Sequence, residues 1–127
     1  MSIEIRRVKT SHERKQFIRF AWKVYRKDPA LNRNWVPPVI SDYMKTLDTE
    51  RYPLYEHADL AMFTAWKVGV MAGTIAAVQN RRHNEIHHDK VGFWGFFECV
   101  NDQKVADALF EAAAMWLKSK GLDAMRG

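Results

Sequence analysis

The sequence predicts an α+β fold, a mixed, mainly antiparallel sheet with helices on both faces. Three observations carry that expectation. Apolar runs at residues 58–67, 70–78 and 91–100 follow one another as strands, the first two joined by a two-residue turn. A long amphipathic helix then starts at Asp102 and leads to a further strand near residues 122–125, which is a crossover to a parallel neighbour. An earlier amphipathic helix, with Phe17, Phe20, Ala21, Val24 and Tyr25 at helical spacing, stands apart from both.

From the N-terminus, Ile3, Ile5 and Val8 alternate with charges and suggest a short strand. Thr10 and Glu13 have the spacing of a reciprocal helix cap, so a helix starts there. Asp28-Pro29 is expected to stop it near Lys27, because the residue before a proline is pushed out of helical geometry. Residues 29–38 read as a loop in which Trp35 anchors the core or lines a pocket. A short helix is expected over residues 39–47, followed by an irregular stretch broken at Pro53.

Between residues 58 and 67, Leu60, Met62, Thr64 and Trp66 fall on one side and Ala61, Phe63 and Ala65 on the other. Both sides are largely apolar, so this strand is expected to be covered on both faces. Val68-Gly69 is the turn into the next strand. Residues 79–90 read as a polar loop. His83, His87 and His88 within it are expected at the surface, because His-x3-His spacing gathers two rings only on a helix. His57 is a lone histidine before a strand, with a structural and a substrate-side reading both open. Gly92 and Gly95 inside the strand at 91–100 point to a bulge or a close approach. Val105, Leu109, Ala112, Ala113 and Trp116 mark one face of the last long helix, and Gly121 ends it. Met62, Met71 and Met115 and the tryptophans at 66, 94 and 116 are expected in the core.

The chain has 127 residues, 47% of them hydrophobic, which is enough for one domain spanning residues 1–127 with its own core. The formal net charge of +5 favours anionic partners such as phosphates or CoA without choosing among them. Basic residues are scattered, with denser clusters at Arg6, Arg7 and Lys9 and at Arg81, Arg82 and His83; a nucleic-acid binder usually concentrates its charge on one face, and nucleic acid is not the expected partner. Cys99 is the single cysteine, which excludes an internal disulfide and fits a reducing compartment. No apolar run is long enough to span a bilayer and the N-terminus lacks a signal-peptide core, so a soluble, cytoplasmic protein is expected.

Chemistry is expected at the head of the last helix. Helix N-termini present unpaired N–H groups and a partial positive charge, and so hold anions. Asn101 or Asp102 can cap this helix, and Asp102 beside an anion is mildly repulsive. Lys104 is placed either to approach a phosphate or to stay solvated. Cys99 has no evident base beside it in sequence and reads better as a small buried hydrophobe than as a nucleophile.

The stretch Gln103-Lys104-Val105-Ala106-Asp107-Ala108 resembles the Gln/Arg-x-x-Gly-x-Gly/Ala pattern of the GNAT superfamily of N-acetyltransferases, with Ala106 where the family has its central glycine. The phrases "WVPPVI", "YEHADLAMF", "GFWGFFECVNDQKVADALFEAA" and "WLKSKGLDAMRG" extend the likeness over nearly the whole chain. The resemblance implies a GNAT-like acyl-CoA N-acyltransferase half-fold with acetyl-CoA or another acyl-CoA as co-substrate. It implies binding by backbone groups of Cys99, Val100, Gln103, Lys104, Val105, Ala106, Asp107 and Ala108, with no metal. It also implies Glu98 as general base for an acceptor amine; the other reading of Glu98 is a solvated strand-end carboxylate. A methyl group at Ala106 is expected to weaken binding of the pyrophosphate.

The family's fold continues past the fifth strand with another helix and two strands, and carries a later tyrosine that protonates the CoA thiolate. The sequence ends at Gly127, so a truncated domain with weak or absent catalysis is expected. The edge of the fourth strand would then be bare, which suggests a homo-oligomer, formed at that edge or by exchange of the C-terminal strand. The alternative function is a non-catalytic, self-associating binding or assembly module.

Overall fold

The computed structural model describes residues 2–26, 36–37 and 39–127. The expected helix stop near Lys27, most of the loop at 29–38 and Trp35 lie outside the described residues. The order is β1 (Ile3–Arg7), α1 (Ser11–Arg26), α2 (Ile40–Thr46), a 3-10 turn (Pro53–Glu56), β2 (Ala58–Lys67), β3 (Val70–Asn80), α3 (Arg81–His87), β4 (Val91–Cys99), α4 (Gln103–Ser119) and β5 (Ala124–Arg126). The strands lie side by side in sequence order. Neighbours are antiparallel from β1 to β4, and β5 joins β4 in parallel. This is the expected mixed sheet.

Local chemistry accounts for the element ends. Thr10 Oγ1 accepts from the Glu13 amide at 3.1 Å and Glu13 Oε1 accepts from the Thr10 amide at 2.9 Å, the reciprocal cap that the spacing predicts. Lys67 and Val70 close the β2–β3 hairpin, with Val68 at φ 51° and Gly69 at φ 74°. Both central residues of such a tight hairpin turn must be left-handed, which glycine accepts and Val68 accepts only under strain. Gly121, at φ 80°, ends α4. The Leu122 amide reaches back to the Leu117 carbonyl and the Gly121 amide to that of Lys118, which satisfies the last carbonyls of the helix.

The two faces of β2 separate as the alternation requires. Leu60 and Met62 pack with Phe17, Ile18, Leu47 and Ala76 beneath α1 and α2. Ala61, Phe63 and Ala65 pack with Ile75, Val105, Leu109, Ala113 and Leu117 beneath α4. The buried row of α4 is therefore Val105, Leu109, Ala113 and Leu117, spaced by four, with Ala112 and Trp116 at its margin. Leu117 explains Gly92, where a Cβ would collide with the leucine side chain. Gly92 thus meets the expectation of a close approach.

Three expectations are corrected. Residues 79–90 are not a loop: β3 runs on to Asn80, whose side chain accepts from the His83 amide and starts α3. An Asn cap and an αL residue at His88 are sufficient punctuation for two helical turns in a polar stretch. Met115 is 65% exposed on the outer face of α4 and not in the core. The edge of β4 is not wholly bare, because β5 covers Val91–Phe93.

The bulge in β4 does the most to place a site. Ala76 pairs with Gly95 and Thr74 with Glu98, so Ile75 alone is opposed by Phe96 and Phe97. Phe96 takes φ 52°. An extra residue reverses the side-chain parity of everything after it. Trp94 and Phe97, three positions apart, consequently both pack on the α4 side, where their rings meet Phe110 at 4.8 and 4.7 Å. Phe96 instead turns to α1 and α2, its ring 6.3 Å from Phe17 and 5.3 Å from Tyr43.

Candidate functional site

Glu98 follows the bulge and falls on the α1 side. It closes a cleft of about 340 Å³ walled by Phe17, Ile18, Ala21, Tyr43 and Phe96, with Thr74 beside it. Burial raises the Glu98 carboxyl above the ordinary glutamate value, and a hydrogen bond from the Tyr25 hydroxyl on α1 holds that rise down. Tyr25 is itself raised, by burial first and then by the carboxyl. A half-buried carboxyl whose pKa is raised by burial is a better proton acceptor than a solvated one, which makes Glu98 the candidate base of this cleft.

Glu98 ends a row that crosses four strands at one level. Arg6 pairs with Thr64, Thr64 with Thr74, and Thr74 with Glu98. Directly opposed residues in antiparallel strands share a face. Thr64 and Thr74 are buried and both hydroxyls are engaged. Thr64 Oγ1 accepts from the Trp66 indole N–H at 2.9 Å. Thr74 Oγ1 donates to the Phe96 carbonyl at 2.9 Å.

On the other flank of β4 a second cleft, of about 540 Å³, opens at the head of α4. Phe97, Cys99, Val100, Gln103 and Ala106 line it, with Lys23 and Val24 of α1 opposite. Lys23 Nζ donates to the Met71 carbonyl at 2.7 Å. The two clefts lie to either side of Glu98 and Cys99, consecutive residues that the pleat sends to opposite faces.

Of the two residues that the sequence offered as cap of α4, Asp102 is the one that serves. Asp102 caps the helix, accepting from the Lys104 amide at 3.0 Å through Oδ1, while Oδ2 takes the Lys67 ammonium at 2.6 Å. Lys67, then the capping amides, hold the Asp102 carboxyl below its ordinary value. The Val100 and Asp102 amides are also engaged, with the carbonyls of Ala72 and Val100. An anion coming to this turn meets a carboxylate already seated on it. The cleft alongside remains.

The other sequence-predicted residues divide. Gln103, Ala106, Val100 and Cys99 reach the second cleft. The Val105 side chain is buried in the core, and Asp107 accepts from the Gln103 side-chain amide at 2.8 Å. Lys104 and Ala108 lie on the first turns, Lys104 exposed. Cys99 is half-buried, and burial pushes its thiol up, away from thiolate chemistry. His83 and His87 are one helical turn apart on α3, rings 4.5 Å apart, with His83 edge-on to Phe93. Among the described residues no three His, Cys, Asp or Glu side chains form a metal-holding group. Arg81 is engaged with Asp59 and the Glu56 carbonyl, which takes it out of any exposed basic patch.

Sequence reasoning missed Thr64, Thr74, Tyr25 and Lys67. The threonines had a signal, a hydroxyl in the middle of each of two strands that are otherwise largely apolar. Tyr25 and Lys67 had none, because their partners lie far along the chain.

The strand order and the crossover helix make this a GNAT-like fold. Among solved structures, an aminoglycoside acetyltransferase from an uncultured soil metagenomic sample, in complex with sisomicin, superimposes with TM-score 0.66 at 13% identity, over 98% of this chain and 75% of that one. A predicted acetyltransferase from Clostridium acetobutylicum, solved with acetyl-CoA, gives TM-score 0.64 at 9% identity, over 98% and 79%. An aminoglycoside acetyltransferase bound to a CoA-containing bisubstrate analogue gives 0.62 at 21%, over 99% and 78%. No family model matches the sequence. Among curated proteins, Protein YghO of Escherichia coli is 31% identical over 123 residues, 97% of this chain and 30% of that protein. The bacterial ceramide synthase of Caulobacter vibrioides is 30% identical over 115 residues, 90% of this chain and 29% of that protein. The chain thus spans about 30% of the length of these curated relatives. Among the described residues no helix is long and apolar enough to cross a membrane.

Proposed function

We propose that this chain is an acyl-CoA-binding domain that transfers an acyl group to an amine, with Glu98 as general base. The observation that carries the reading is the position of Glu98, aimed by the bulge into an apolar cleft with its carboxyl raised by burial. A base is most effective when its pKa approaches the working pH. Glu98 takes the proton of an amine seated in the α1-side cleft. The amine nitrogen attacks the thioester carbonyl, a C–N bond forms, the C–S bond breaks and the CoA thiolate departs to be protonated by solvent. Acyl-CoA lies in the cleft beside Cys99 and Ala106, and the Asp102 cap makes its hold on the pyrophosphate weak.

The acceptor side favours an amine with an apolar body. Among the described lining residues Glu98 is the one carboxylate and none is basic, and aliphatic and aromatic side chains form most of the wall. A polycationic acceptor such as an aminoglycoside would need several carboxylates. The name of the Caulobacter relative supports this choice, since a ceramide is an amide of a long-chain amine.

The test is release of CoA thiol from acetyl-CoA and a long-chain acyl-CoA with three acceptors: a long-chain primary amine, a short one and an aminoglycoside. Turnover with the long-chain amine, lost in Glu98→Gln, is expected. Absence of both turnover and calorimetric heat with millimolar acyl-CoA overturns the reading.

A second reading is self-association without catalysis. It is favoured by the part of β4 beyond Phe93, which has no register with β5 and leaves main-chain groups for a further strand. Light scattering decides it, because a dimer at micromolar concentration that acyl-CoA does not dissociate supports assembly.

A further inference from the structure

We propose that Thr74 is a positioning residue, whose hydroxyl holds the β4 bulge closed and thereby keeps Glu98 aimed into the α1-side cleft. The inference rests on the reading of Glu98 as the base and assigns its geometry to one hydrogen bond. Phe96 sits at φ 52°, a conformation that bulky L residues rarely adopt, and it persists only where its surroundings hold it. The bulge takes the Phe96 carbonyl out of the regular ladder with β3, since Ile75 faces two residues at once. The hydroxyl of Thr74 satisfies that carbonyl at 2.9 Å.

Thr74 is 1% exposed, in the middle of a strand whose neighbours are alanine, isoleucine and glycine. A valine of the same shape would pack there without burying a hydroxyl. Position and partner together account for threonine. Thr74 is also the direct cross-strand partner of Glu98, so it stands beside the carboxyl whose aim it fixes. Without the bulge the parity of β4 would send Glu98 to the face of Trp94, beneath α4 and away from the cleft.

The experiment compares Thr74→Val with Thr74→Ser, and reads three quantities: the urea midpoint, the titration of the Glu98 carboxyl by carbon-detected NMR, and kcat and KM for acyl transfer. Thr74→Val is expected to shift the Glu98 titration and to lower kcat about 10-fold or more, well within the roughly 10²-fold cost of a 1 Å misplacement, with KM for acyl-CoA little changed. Thr74→Ser, which keeps the hydroxyl, is expected to recover both. A Thr74→Val protein that is less stable but titrates Glu98 and turns over as the wild type does overturns the proposal, as does failure of Thr74→Ser to rescue. The NMR titration needs no turnover. If Glu98→Gln retains activity, the base reading fails, while a shifted titration in Thr74→Val still supports Thr74 as the group that positions Glu98.

Discussion

The Tyr25 hydroxyl, at the end of α1, donates a hydrogen bond to the Glu98 carboxyl at the end of β4. The bond ties the helix to the strand that carries the candidate base, and it favours the ionised carboxyl against the burial that opposes it. Tyr25→Phe removes the donor and leaves burial unopposed, so the Glu98 pKa rises further. The acid limb of the pH–activity profile should move to higher pH, with kcat at its plateau changed less than kcat on the limb. A profile that does not move argues that Tyr25 is only a packing residue.

Glu98→Gln should separate activity from stability. The variant is expected to lose about 10²–10⁴-fold in kcat, the usual contribution of a general base. Its stability runs the other way. A carboxyl whose folded pKa is raised favours the neutral form, so its contribution is complete below the unfolded value and declines as pH rises through the folded one. Relative to the wild type, the glutamine variant should therefore gain in urea midpoint as pH increases across that interval, and differ least in acid. Equal midpoints at all pH values would mean that Glu98 is better solvated than its cleft suggests.

Asp102 and Ala106 guard the second cleft in different ways. Asp102→Asn keeps a good helix cap and removes the charge that faces an incoming phosphate. Ala106→Gly removes the methyl at the cleft wall, at a cost to the helix of about 1 kcal/mol. Each is expected to tighten acyl-CoA several-fold by calorimetry. For the wild type, the stability supplied by the Lys67–Asp102 pair is complete above the ordinary aspartate value, about 3.9, and is lost as pH falls through the lower folded value. Asp102→Asn should flatten that acid limb of the stability curve.

Gly73 links the core to the site. A Cβ there would stand 2.6 Å from Leu109 Cδ1 and 3.1 Å from the Glu98 carbonyl oxygen. Gly73→Ala is expected to cost about 1–3 kcal/mol through overpacking, and to reduce acyl transfer more than Leu109→Ala does. Leu109→Ala opens a cavity and costs about 2–5 kcal/mol without pressing on β4. Chemical denaturation and turnover measured on both proteins check the contrast.

Much of the fold was legible because it rests on local rules. Apolar alternation in Leu60–Ala65 sorted residues to the two faces, the Thr10–Glu13 spacing set a helix start, and Gly121 set an end. The helix at Arg81–His87 was not legible, since its polar residues bury nothing and its start depends on Asn80, where a strand was expected to have ended already. Met115 was misplaced because its apolar side chain looks like core, whereas it stands two positions from both Ala113 and Leu117 and so falls on the side of α4 away from the buried row.

The sequence by itself determined the run of three antiparallel strands and the crossover helix, because burial periodicity and turn chemistry are properties of short segments, while Glu98 and Ala106 were picked out by the family resemblance. The tertiary structure decided which way Glu98 faces, that Lys67 pairs with Asp102 at the head of α4, and that Tyr25 reaches the Glu98 carboxyl while Thr74 holds the Phe96 carbonyl across from it. Those facts depend on the strand register and on pairs such as Lys67 with Asp102 and Thr74 with Phe96. A single extra residue opposite Ile75 reverses every later side chain; Gly95 marked a bulge nearby, but the register with β3 decides on which residue the slip falls.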